Sequence, residues 1–256
     1  MIAPLAFLGE FGDAVNFIFE QRESETGGTT IGGLGQIIDL TTVHLQVSLV
    51  AIGAAIILFL PLGLYLGHKG RGEFFASSIS NVGRAVPIVA LLALFLSFLG
   101  IGFLNVATVM FLLAIPPILT NTFVGVRQVD RDTVDAARGM GMTELQVIRK
   151  VEFPLAIPTI FAGVRLSTVA VLATATIGPL ANVDTLGRPI IEPQIFGPAG
   201  QIAAALMVAV VTVAGDQIVR LVQRIVTPSG LKLEAKQAKG KQAASPLNPL
   251  RRATST

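Results

Sequence analysis

"HLQVSLVAIGAAIILFLPLGLYLG" runs from His44 to Gly67 without one Asp, Glu, Lys or Arg. Wound as a helix it reaches about 36 Å, more than the ~30 Å hydrocarbon core of a bilayer. The charge-free window extends from Leu40 to His68 and holds a first membrane span near Thr42–Leu66. The rest of the chain has the same character. Of its 256 residues 52% are hydrophobic and only 14% charged, where a soluble domain carries about 25% charged residues. Mean hydropathy is +0.71.

Further windows follow. Ala85 to Val126 is double length and divides into spans near Ala85–Phe103 and Val106–Thr122, joined by a tight turn at "GIGFLN". A fourth span lies near Ile157–Leu180, interrupted only by Arg165. A fifth lies within Pro193–Val226, with its core at Ala199–Val219. The fold class is an all-α polytopic membrane protein of five spans, with its termini on opposite sides. Lys and Arg in short flanking loops mark the cytoplasmic side. They gather at Lys69, Arg71 and Arg84, at Arg127, Arg131, Arg138, Arg149 and Lys150, and in the tail beyond Arg220. The N-terminal segment has only Arg22 against Glu10, Asp13, Glu20, Glu23, Glu25 and Asp39. The N-terminus is therefore expected outside and the C-terminus in the cytoplasm of a cell-membrane protein.

Residues 1–40 read as an extracytoplasmic segment. "PLAFLGEFGDAVNFIFE" (residues 4–20) suits an amphipathic helix on the outer surface, and "SETGGTTIGGLG" (residues 24–35) suits a flexible linker. Residues 41–226 form the membrane domain. Residues 227–256, rich in Lys, Ala, Pro and Ser, read as a disordered basic tail, solvated in preference to the alternative of contact with anionic lipid. The chain has no cysteine and only two histidines, His44 and His68. That excludes disulfides, thiol catalysis and Cys- or His-rich metal sites. No phosphate-cradling GxxxxGK[ST] run is present, and no nucleophile–base pair lies within the spans, so a membrane-embedded enzyme is disfavoured. Nothing points to nucleic acid. His44, near the outer end of the first span, reads as a packing residue. With no Trp and a single Tyr, Tyr65, the chain lacks the aromatic cage that usually holds a quaternary ammonium group.

One polar segment, residues 127–154, separates two oily regions. Within it "DAARGMGMTELQVIRKVEFP" spans Asp135 to Pro154. Asp132 is expected to cap a short helix, with Asp135 three residues on as its reciprocal partner. Gly139 and Gly141 end that helix. Thr143 caps a second helix with Gln146 at the box position, and this helix is expected to stop before Pro154. Ala136, Ala137, Gly139 and Gly141 are small, so a partner could approach the backbone closely.

The spacing Asp135-Ala136-Ala137, three residues, Gly141, nine residues, Val151, one residue, Phe153-Pro154 resembles the EAA loop of ABC importer permeases. That pattern is E-A-A, three residues, G, nine residues, I, one residue, L-P; Asp, Val and Phe stand here for Glu, Ile and Leu. About residues 40–225 are similar to the glycine betaine/carnitine/choline permeases of osmoprotectant uptake. The resemblance weakens over Gly178–Gly200, where this chain lacks their glycine-rich run. It implies a five-span type I importer transmembrane domain, non-catalytic, with no cofactor of its own. It implies two permease chains, identical or different, and two ATPase subunits that bind and use ATP. An extracytoplasmic solute-binding protein would deliver solute. The helix Asp132–Gly141 would seat in a cleft of the ATPase. Coupling would fall to Asp135, Ala136, Ala137, Gly139, Gly141, Thr143, Val151 and Pro154. The implied solute is a quaternary amine, with an amino acid or another small solute as the alternative.

Arg165 and Asp216 are ionisable groups inside predicted spans, which are costly unless paired or wetted. Arg165 lies about 16 Å beyond Pro154 and Asp216 about 12 Å before Arg224 along their helices. Similar depth allows an Arg165–Asp216 ion pair between spans. An Asp216–Arg220 pair at i,i+4 spacing is the rival.

Overall fold

A computed structural model describes residues 3–70, 72–74, 78–79, 81, 83 and 86–228. The basic tail beyond residue 228 lies outside the described residues, as do Arg71 and Arg84. Helix α1 (Ala3–Phe19) leads into strands β1 (Gln21–Glu23) and β2 (Thr30–Gly32), paired antiparallel. Then come α2 (Gly33–Lys69), α3 (Ile88–Leu99) and α4 (Phe103–Arg127). Short helices α5 (Arg131–Gly139) and α6 (Glu144–Val147) follow. Helix α7 (Phe153–Thr174) is succeeded by α8 (Arg188–Ile191) and α9 (Pro193–Val226).

Among the described residues, four helical stretches are long and apolar enough to cross a membrane: α2, α4, the continuous run Glu144–Ala181 that contains α7, and α9. The second expected span is the 12-residue α3, which alone reaches about 18 Å; its expected start, Ala85, lies outside the described residues. Helix α2 begins earlier than hydropathy suggests, because polar Gln36 and Asp39 still belong to it. The Gln36 side-chain carbonyl accepts the Gly32 N–H at 2.7 Å and anchors its start.

Helices α2, α4 and α7 form the centre. Val47, Ala51, Ala55, Val106, Met110, Ala114 and Val171 are buried there together. Small residues bring the backbones close, as membrane helix pairs require. A Cβ placed on Gly63 would lie 2.8 Å from Thr122 Cβ, and one on Gly67 2.7 Å from Val126 Cβ. The Ser167 hydroxyl of α7 donates to the Ala114 carbonyl of α4 at 2.9 Å. His44 is fully buried with Nε2 2.8 Å from the Leu172 carbonyl, a packing contact between α2 and α7.

The stretch expected to be a linker is instead a hairpin. Its Gly-rich composition serves a tight turn: Gly27 and Gly28 both take positive φ, and the Ser24 N–H donates to the Thr29 carbonyl at 2.9 Å. The hairpin and α1 close over the start of α9. Phe17, Ile31, Ile37, Phe196 and Ala203 are buried as one cluster, with Phe17 and Phe196 edge to face at 6.3 Å. The Arg22 guanidinium lies over the Phe17 ring at 4.7 Å. Glu25 reaches the kink at Gly197 (φ 63) in α9.

The connection from α7 to α9 folds back into the bundle. A 3₁₀ turn (Ala175–Ala181) ends at Asn182 in the left-handed conformation. Val183, Thr185 and Leu186 are buried behind it, and the Thr185 hydroxyl donates to the Ala175 carbonyl at 2.9 Å.

Candidate functional site: a capped helix pair at the basic end

Lys69, Arg127, Arg149 and Lys150 mark one end of the bundle, where α4 hands the chain to α5. The cap of α5 is Asp130, not the expected Asp132: its Oδ1 accepts the Thr133 N–H at 2.9 Å. Asp130 holds extended backbone just outside the helix (ψ 129), as a cap must. Asp132 sits in the first turn, where its charge favours the positive helix end. Asp135 makes no reciprocal bond and pairs with Arg138 at 3.2 Å.

Gly139 ends α5. Gly141 turns the chain with φ 85, in the left-handed region that side chains resist. Thr143 then caps α6 in a full capping box: Gln146 N–H to Thr143 Oγ1 at 3.4 Å, and Thr143 N–H to Gln146 Oε1 at 2.9 Å.

The helix does not stop before Pro154. Ile148–Glu152 form a π-turn, and α7 continues directly from Phe153. The Phe153 N–H donates to the Ile148 carbonyl, five residues back. This slip opens a fresh first turn in which Pro154 stands, where a missing N–H is tolerated.

Val129, Val134, Ala137 and Val147 form a small core of their own, with Met142 and Val151 packed against it. This divides the expected coupling residues. Ala137 and Val151 face into the loop, and half-buried Pro154 belongs to the root of α7. Asp135, Ala136, Gly139, Gly141 and Thr143 are exposed, beside Met140 at 72% exposure. Nothing lies within 4 Å of a Cβ built on Gly139 or Gly141. The arrangement offers a firm helix with an open, small-residue surface.

Behind that surface lies a charged cluster that sequence reasoning missed. His68, at the end of α2, is buried with Nε2 2.7 Å from Glu144 Oε2 and Nδ1 2.7 Å from Glu152 Oε2. Glu152 is 1% exposed. Arg138 meets the same Glu144 oxygen at 3.1 Å, and this hydrogen bond raises the guanidinium pKa above its ordinary value. The available signal was a pair of glutamates eight residues apart, about two helical turns, opposite a histidine that closes a charge-free window.

Further into the bundle, Arg165 and Asp216 meet through Nε–Oδ1 at 2.8 Å and Nη2–Oδ2 at 3.1 Å. Arg220 also reaches Asp216 Oδ2, at 3.3 Å. The two rival partners of Asp216 hold it together.

Membrane-length helices carrying a separately cored, capped helix pair at the basic end define a polytopic membrane protein with an exposed, structured loop. The family model described as "Binding-protein-dependent transport system inner membrane component" matches residues 59–229, and the chain belongs to that family. It is 34% identical over 199 residues to the glycine betaine/carnitine/choline transport system permease protein OpuCB of Bacillus subtilis, covering 77% of this chain and 92% of that one. It is 31% identical to the osmoprotectant import permease protein OsmW of Salmonella typhimurium, over 77% of this chain and 95% of that one. Among solved structures, the inward-facing MetNI methionine ABC transporter superposes with a TM-score of 0.65 at 20% identity, over 76% of this chain and 98% of that one. An amino acid ABC transporter solved with histidines gives 0.58 at 22% identity, over 75% and 94%. These likenesses fix the fold as the transmembrane domain of a type I ABC importer.

Proposed function

We propose that the chain is the permease subunit of an ABC importer for a quaternary-amine osmoprotectant such as glycine betaine, choline or carnitine. The observation that carries this is the exposed surface of Ala136, Gly139, Met140 and Gly141, on and just beyond a helix whose own core is already satisfied. It occurs in a chain that is 34% identical, over 199 residues, to a permease named for those solutes. A surface so prepared suits a partner, and the chemistry missing here, a phosphate cradle, is what that partner supplies. Two ATPase subunits bind ATP and grip α5 from below; a second permease chain completes the pore; an extracytoplasmic binding protein delivers solute.

The basic end faces the cytoplasm and the N-terminus lies outside, by the distribution of Lys and Arg. Residues 1–40 then cap the outer end, residues 41–226 form the membrane domain with α3 as the centre of a fifth span, and the chain ends on the cytoplasmic side. Asp135, Ala136, Gly139, Gly141 and Thr143 meet the ATPase, while Ala137, Val151 and Pro154 shape the loop from within. The Arg165–Asp216 pair keeps two charges tolerable inside the bundle.

Uptake in membrane vesicles from cells bearing the full transporter tests this, with unlabelled betaine, choline, carnitine and amino acids as competitors. At least one quaternary amine is expected to compete. If only amino acids do, the solute assignment falls and the importer assignment stands.

A further inference from the structure

His68 lies at the junction of three elements. It ends α2, its Nε2 contacts Glu144 at the start of α6, and its Nδ1 contacts Glu152 at the end of the π-turn, each at 2.7 Å. Glu144 passes the link to Arg138 of α5 at 3.1 Å, and Arg138 to Asp135 at 3.2 Å. A continuous polar path thus joins the last turn of α2 to the exposed helix. Each nitrogen of the ring faces a carboxylate oxygen at hydrogen-bond distance. Such a ring is held from two sides. Glu152 is 1% exposed and His68 6%, so neither finds water as a substitute.

Around this path the packing is tight. Gly67, next to His68, lies against Val126 and the Phe123 carbonyl of α4. On the other side the ladder of the helix has already slipped at Ile148–Glu152, a local irregularity that often marks functional positions. The apolar core of the loop (Val129, Val134, Ala137, Val147) contains no residue of α2. Among the described residues, the contacts of His68 link α2 to the exposed helix through side chains, whereas the packing of α2 on α4 at Gly67 and Val126 reaches it only through the backbone that joins α4 to α5.

We propose that His68 is a positioning residue for transport: through Glu144, Glu152 and Arg138 it makes α2 move with the helix that the ATPase grips. This rests on the importer function proposed above. Without His68 the ATPase still docks on α5 and hydrolyses ATP, but its stroke reaches α2 only through the packing of α2 on α4 and moves it less.

The test uses the complete transporter, purified with its ATPase and binding protein and reconstituted in liposomes, with ATP hydrolysis and radiolabelled glycine betaine uptake measured together. His68→Ala is expected to retain co-purified ATPase and ATP hydrolysis while uptake falls about tenfold, a typical size for a coupling effect. Glu144→Gln, on a residue whose side chain is 55% exposed, guards against a misfolded first variant and is expected to lower uptake about threefold by the same uncoupling. A second readout separates coupling from folding. The chain has no cysteine, so spin labels on Lys69→Cys and Met140→Cys report one distance. That distance is expected to stay fixed between nucleotide-free and ATP–vanadate states, and to change between them once His68 is alanine. Normal uptake per ATP in His68→Ala and Glu144→Gln, or a label distance indifferent to His68, overturns the inference while leaving the importer function intact. If no ATPase co-purifies with the unmodified chain, both fall together.

Discussion

Arg165 of α7 and Asp216 of α9, 51 residues apart in sequence, share two hydrogen bonds of 2.8 and 3.1 Å, and Arg220 leans on the same carboxylate. Two cations thus divide one anion. Removing Asp216 strands both, whereas removing Arg165 leaves Asp216 with Arg220. Asp216→Ala is therefore expected to be more destabilising than Arg165→Ala, and the double variant milder than the sum. Thermal unfolding in detergent should show a favourable coupling between the two positions, as expected of residues in direct contact. A charge swap is a poor test, since an arginine at position 216 would face Arg220.

Gly141 holds φ 85 with open space around it. Strain, not crowding, limits what can stand there. A β-branched residue pays about 1–2 kcal/mol in that conformation, while asparagine enters it readily. Gly141→Val is expected to reach the membrane at normal amounts but to lose uptake, and Gly141→Asn to keep most of it. Equal uptake from both variants would refute the assignment.

Thr143 and Gln146 satisfy one another's backbone at the start of α6. Thr143→Ala is expected to cost about 1 kcal/mol locally, seen as faster amide exchange at Gln146. Asp130→Ala should do the same at Thr133, where the Asp130 carboxylate accepts the amide at 2.9 Å. The change expected of Asp132→Ala is smaller, because that side chain caps nothing.

Gly67 leaves no room for a side chain beside Val126. Gly67→Val is expected to force α2 from α4 and lower stability by about 1–3 kcal/mol, read as a fall in melting temperature. Gly53 has nothing within 4 Å of a built Cβ, so Gly53→Ala is the control and should melt like the unmodified protein.

What the sequence disclosed follows from range. Hydropathy is local, so the long helices were legible near their observed positions. The Thr143–Gln146 box is a three-residue relation and was legible too. Asp130 was passed over because two aspartates two residues apart both suit a cap, and only the backbone angle separates them. The hairpin at residues 21–32 was hidden because glycines that shape a turn look like glycines that loosen a linker. Pro154 misled because a proline argues against a helix only when the ladder keeps its register. His68 and Glu152 lie 84 residues apart, a relation no local pattern encodes. The burial of Thr185 and Leu186 likewise arises from chain reversal at Asn182.

The π-turn at Ile148–Glu152 has a last consequence. A turn closed by an i→i+5 bond winds about as far with five residues as a regular α-turn does with four, so the surplus residue is absorbed where it stands. Deleting a single residue between 148 and 152 is therefore expected to leave a regular helix from Thr143 into α7, with the loop before it keeping nearly its bearing. What such a deletion would disturb is the seat of Glu152, which the widened turn brings to 2.7 Å from His68. The bulge thus serves the buried contact and not the direction of the exposed face.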